Sequence, residues 1–148
     1  MACSAVSLAP LAGAGTGAVA PIDFAAHAVY PYQLFSAAWG FGVSTPEQWR
    51  GFAEVWSEAR ALNQIVMEAL AAAGLPAVAF PPSATVTAHD GHATAWDTAP
   101  LEAALAHGLL PVVYGDVVFD TVRGGTILST EDLFDCLAPR LAPGRILL

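Results

Sequence analysis

Two carboxylates, Asp116 and Glu131, and the small polar residues around them are the groups whose types and spacing best suit chemistry. Asp116 follows Gly115 where an apolar run, Leu109 to Tyr114, stops, and Ser129, Thr130, Glu131 and Asp132 stand where a helix is expected to begin. Strand ends and helix starts gather loop amides and helix N-terminal N–H groups that attract anions, so these positions suit the binding of a phosphate. Leu11 to Gly17, with Gly13 and Gly15, can cradle phosphate oxygens on bare backbone N–H groups, and reads equally as a featureless Ala/Gly-rich terminus. His27, alone among alanines, is a candidate phosphate ligand and equally a packed or surface residue. His89 and His92 flank an Asp90-Gly91 turn whose tip leaves both rings in water with no third ligand near, so no metal site is expected there.

Composition narrows the chemistry. The chain has 148 residues, enough for one domain with its own core, and is 55% hydrophobic but only 12% charged. That is more apolar than an ordinary soluble domain and points to a subunit interface or to a missing part of the fold. A net charge of −8 and no lysine argue against a nucleic-acid or anionic-membrane partner. Phosphoryl-transfer enzymes commonly neutralise the transferring group with a lysine, so a kinase built on this chain keeps its lysines elsewhere. Cys3 and Cys136 lie far apart with no CxxC or His spacing, which makes reduced cytoplasmic thiols the default. Met1 to Ala20 lacks a basic n-region, and no stretch has the roughly 20 unbroken apolar residues of a membrane span.

The elements that position the polar groups follow from pattern. Thr45, Pro46 and Gln48 form a helix start, Gly74 a stop, and between them Trp49, Phe52, Trp56, Ala59, Asn63, Val66 and Leu70 make one stripe. The stripe reads as core or self-association interface, and Asn63 within it needs a hydrogen-bond partner if buried. Leu75 to Phe80 reads as a short buried strand. Thr85 to Ala88 and Ala93 to Trp96 form a hairpin about Asp90-Gly91, and Asp97 or Thr98 caps a helix that Gly108 ends. Leu109 to Tyr114 and Val117 to Phe119 follow, with a turn at Arg123-Gly124-Gly125, a helix started by Ser129 or Thr130, and a final strand from Arg145 to Leu148. The alternation predicts an α/β fold with a mainly parallel sheet and no internal linker. A chain ending on Ile146-Leu147-Leu148 reads as a cut, so a partial chain is expected.

Gly108 to Ala138, with Leu62 to Val66 and Leu75 to Ser83, resembles the middle of isopentenyl phosphate kinases in the amino acid kinase superfamily. The likeness runs from about Thr45 to Leu148 and rests on the pattern LxPVxxGDVxxD…G…ILSxxDLxxxLA; residues 1–44 match poorly. It implies a three-layer αβα sandwich and the transfer of the ATP γ-phosphoryl group, with Mg²⁺, to isopentenyl phosphate. It places Gly115 and Asp116 against the substrate phosphate. Glu131 falls where the family has the aspartate that organises the catalytic lysines and nucleotide, with Ser129 opening that segment. Ser-Thr-Glu-Asp replaces the usual Ser-Gly-Asp-Asp, and Glu carries its charge one methylene further out. The family's Lys-x-Gly-Gly strand is absent, and its glycine-rich loop ending Ser-Phe-Gly-His is echoed only by Gly13 to Gly17 and Phe24 to His27.

The chain is therefore expected to be the substrate-side part of a homodimeric cytoplasmic small-molecule kinase, inactive alone. The alternatives are a non-catalytic dimerisation module and a kinase for another phosphate or phosphonate such as fosfomycin. Asp116 and Glu131 also read as an ordinary loop carboxylate and a first-turn helix carboxylate.

Overall fold

The computed structural model describes residues 42–144; Gly13, Gly15, His27 and the expected strand at 145–148 lie outside the described residues. The long helix forms as its caps dictate. In α1 (Pro46–Ala72) the Thr45 hydroxyl accepts from the Gln48 N–H and the Gln48 side chain accepts from the Thr45 N–H, so two orphan donors are satisfied reciprocally. At the other end Leu75 N–H reaches Leu70 O and Gly74 N–H reaches Ala71 O, a Schellman stop.

β1 (Ala77–Ala79) follows, then a single turn α2 (Pro82–Thr85) and the hairpin β2 (Val86–His89) and β3 (His92–Trp96). Asp90 and Gly91 at its tip take φ of 50° and 84°, the primed turn that matches strand twist. α3 (Ala99–Ala106) ends with the same pair of Schellman bonds at Gly108 and Leu109 and delivers β4 (Leu110–Val112). β5 (Asp116–Asp120), β6 (Gly124–Leu128) and α4 (Thr130–Leu141) complete the described chain.

Two sheets result. β1 and β4 pair in parallel; the second sheet has the order β3-β2-β5-β6, parallel at β2–β5 and antiparallel in the two hairpins. Alternation along β5 and β6 sends side chains to opposite faces. Val117 and Ile127 pack with Phe52, Val55 and Val43 under α1, while Val118 and Leu128 pack with Leu133 and Leu137 of α4 and Leu101 of α3. Helix, sheet, helix is thus the local layering, the α/β class expected.

Some expectations need correction. The strand foreseen at Leu75 to Phe80 is shorter and not buried: Val78 is 38% exposed, because β1 pairs only with β4 among the described residues. The α1 stripe also splits. Phe52, Asn63 and Leu70 are buried, but Trp49 and Trp56 are 37% and 39% exposed, one leaning on Phe52 and Phe119 and the other lying under the Arg60 guanidinium.

Candidate functional site

The two polar groups singled out from the sequence meet. β5 runs antiparallel to β6 with Asp116 opposite Leu128, so the start of one strand lies beside the end of the other and the beginning of α4. A Cβ on Gly115 would stand 3.2 Å from Leu128 O and 3.4 Å from Thr130 N. Loop and helix start are thus closely packed, and a side chain at this position would have to shift that backbone by a few tenths of an ångström.

Asp116 is 2% exposed and accepts from Ser83 and Val117: Oδ2 takes the Ser83 N–H at 3.2 Å and Oδ1 the Val117 N–H at 2.9 Å, and the Ser83 side chain also donates to the carboxylate. It thereby fastens the Gly115–Asp116 loop to the start of α2. Burial pushes its carboxyl above the ordinary aspartate value, opposed by hydrogen bonds from Ser83 and Val117. Half-buried Tyr114, two residues earlier, is pushed up to about 12 by burial first and the Asp116 charge second, with Arg60 pulling the other way. Its phenol remains a hydrogen-bond donor at any physiological pH. In the sequence Tyr114 is marked only as the end of an apolar run.

At the head of α4 the box is Ser129 with Asp132. Ser129 Oγ accepts from the Asp132 N–H at 3.1 Å, and Asp132 Oδ2 accepts from the Ser129 N–H at 2.9 Å. Glu131 is in the same first turn, exposed, and makes no hydrogen bond or ion pair among the described residues, so its carboxylate is available to a cation or ligand.

Asp120, the second aspartate of the quoted pattern, is a structural carboxylate. It is 4% exposed and accepts four backbone N–H groups: Asp90 and Gly91 from one hairpin turn at 3.2 and 2.7 Å, Val122 and Arg123 from the other at 2.8 Å each. Burial works against its ionisation, but these four bonds prevail and hold its pKa below the ordinary value. The Asp90–Arg123 ion pair, 2.9 Å, closes the same junction from outside.

Among the described residues no group of three or more His, Cys, Asp or Glu comes together to hold a metal ion; His89 instead bonds the Thr121 hydroxyl at 2.8 Å. A cavity of about 240 Å³ lies between β3 and α4, lined by His92, Ala93, Asp132, Asp135 and Cys136. No helix is long and apolar enough to cross a membrane among these residues.

The geometry thus sets a glycine–carboxylate loop against a capped helix start at a sheet edge. The chain belongs to the amino acid kinase family, whose model matches residues 20–148. It is similar to the isopentenyl phosphate kinases of Methanothermobacter thermautotrophicus, 39% identical over 100 residues, and Methanocaldococcus jannaschii, 34% over 98. Each alignment covers 66% of this chain but only 38% and 37% of the relative, so the chain spans little over a third of their length. An X-ray structure of isopentenyl phosphate kinase superposes with a TM-score of 0.69 at 34% identity, over 76% of this chain and 49% of that one. An isopentenyl phosphate kinase substrate complex gives 0.64 at 25% identity, over 74% and 46%.

Proposed function

We propose that this chain forms the acceptor side of a kinase that passes the γ-phosphoryl group of ATP to isopentenyl phosphate, giving isopentenyl diphosphate. The observation that carries the reading is the packing of Gly115–Asp116 on the Ser129–Thr130 helix start. An acceptor phosphate at that edge faces the first-turn amides of α4 and the positive end of its dipole, which favour an oxyanion without any lysine in the chain. Asp116 orients the loop through Ser83 and Val117 rather than touching the phosphate, since a buried carboxylate beside a dianion would repel it. Glu131, exposed at the same edge, is the carboxylate suited to Mg²⁺ or to the lysines the reaction requires; when bound, the metal neutralises charge on the transferring group. Gly13, Gly15 and His27 remain proposed phosphate-side residues.

The exposed Trp49–Phe119 contact supports a homodimer, and a cytoplasmic setting goes with that reading. Titrating isopentenyl phosphate into ¹⁵N-labelled protein tests the reading. Amide shifts are expected at Gly115 and from Ser129 to Glu131. Shifts with fosfomycin or inorganic phosphate but none with isopentenyl phosphate would change the acceptor, and shifts confined to the β3–α4 cavity would remove the site.

A further inference from the structure

β1 and β4 are neighbouring parallel strands with Ala79 beside Val112, and the Phe80 N–H donates to Val112 O at 2.9 Å. Two loops therefore leave this sheet side by side at its carboxyl edge: Pro81 to Ser83 after β1, and Val113 to Gly115 after β4, leading into Asp116. Ligands of open α/β sheets bind at that edge, so a link between the two loops bears directly on its shape.

Ser83 is such a link. Its N–H reaches Asp116 Oδ2 at 3.2 Å, and its hydroxyl donates to the same carboxylate. The Ser83 side is held on its own account: Pro82 is fully buried, and Pro81 O accepts from the Ala84 N–H and the Thr85 hydroxyl, each at 3.2 Å. The Asp116 side carries Gly115, which abuts Leu128 and Thr130 at the head of α4. The bonds thus run from an anchored turn, through Asp116, to the residue that faces the helix start.

We infer that Ser83 is a positioning residue for the acceptor: by holding Asp116 from the neighbouring loop, its N–H and hydroxyl keep the Gly115 amide at the first turn of α4, where the acceptor phosphate binds. A hydroxyl has one proton, and Ser83 gives it to Asp116, so Ser83 acts on the acceptor through the loop and not by a donor contact of its own side chain. The inference rests on the acceptor-site reading above and adds to it the residue that sets the loop.

The test is titration of isopentenyl phosphate into the ¹⁵N-labelled full-length protein, with a thermal melt of every variant. Wild type is compared with Ser83→Ala, Ser83→Thr, Asp116→Asn and the double variant carrying Ser83→Ala and Asp116→Asn. Ser83→Ala should bind about tenfold more weakly, the loss of one hydrogen bond to a charged group, with the Gly115 amide resonance displaced already in the free protein. Ser83→Thr keeps the hydroxyl and should bind as wild type. Because Ser83 acts through Asp116, the double variant should lose far less than the product of the two single losses. Should Ser83→Ala melt lower yet bind as wild type, or Ser83→Thr bind as weakly as Ser83→Ala, or the single losses multiply in the double variant, the inference falls and the acceptor site stands. If Ser83→Ala does not fold, Ser83→Cys, a weaker donor of similar size, takes its place with the same expectations. Absence of any binding by wild type would overturn both.

Discussion

Asp116 and Asp120 are the first and last residues of the same strand, both buried, and the fold drives their ionisation in opposite directions. Asp116 has two backbone donors and loses to desolvation; Asp120 has four and gains. The strand thus carries a loop-fastening carboxylate at one end and a clamp on two turns at the other. The contrast sets the pH behaviour of each.

Asp120→Asn should destabilise the protein by about 3 kcal/mol, the loss of charge-assisted bonds to two turns at once. Because its folded-state pKa lies below the unfolded one, the stabilisation is present above the ordinary carboxylate range and disappears as pH falls through the folded value. Melting curves between pH 3 and pH 7 (roughly spanning the window of aspartate titration) should show wild type and variant converging at the acid end. A constant gap would mean the clamp does not depend on charge.

Asp116→Asn should do the reverse. A raised folded pKa means that the ionised side chain costs stability above that value, and the cost vanishes as pH falls and the buried carboxyl takes up its proton. Asn retains an oxygen for the Val117 N–H, so the variant is expected to melt level with or above wild type at neutral pH and to lose that advantage in acid. Acceptor binding should weaken, since the loop is no longer held to Ser83 by a carboxylate. A variant that melts lower at every pH would assign Asp116 to stability.

These two roles differ in how far they were legible. Thr45 with Gln48 and Asp90 with Gly91 are local devices that formed where the residues alone placed them, and of the two caps the residues allowed, Ser129 or Thr130, the structure uses Ser129. Asp116 was recognisable from Gly115-Asp116 at the end of an apolar run, although its partner Ser83 lies 33 residues away. Asp120 stands in the same pattern, but its clamp role was not readable there, because it depends on the parallel pairing of β2 with β5, which brings two hairpin turns to one carboxylate. Helical spacing puts Trp49, Phe52 and Trp56 on one stripe, but the stripe splits because spacing carries no information about where the sheet beneath ends. Phe52 is over Val117, and the tryptophans flank it at the margin.

That margin leads to a prediction about assembly. Trp49, Phe52 and Phe119 form a tilted cluster with ring centroids 5.2 to 6.0 Å apart, and Phe119 and Val122 are 55% and 59% exposed. A face of this kind suits an isologous contact between two copies. Sedimentation at micromolar concentration (roughly the range in which a standard-size contact binds) should show a dimer, and Phe119→Asp should give a folded monomer. A wild-type monomer across that range would remove the interface.

Glu131 offers the sharpest separation of catalysis from stability. The cap of α4 is closed by Ser129 and Asp132, so Glu131 contributes no capping hydrogen bond and acts on the helix only through its charge near the N-terminus, worth roughly 0.3 to 1 kcal/mol. If the carboxylate serves the transferring phosphoryl group, Glu131→Gln in the full-length protein should lower turnover strongly with that small loss of stability. Glu131→Asp, which draws the charge in by one methylene, should keep or raise turnover. Displacement of a catalytic group by about 1 Å is worth up to ~10²-fold in rate, so the two substitutions diverge widely if the role is catalytic. Steady-state kinetics with isopentenyl phosphate and Mg-ATP, read beside thermal melts, decide the matter. A Gln variant with wild-type turnover and a slightly lower melting temperature would leave Glu131 as a first-turn helix residue and nothing more.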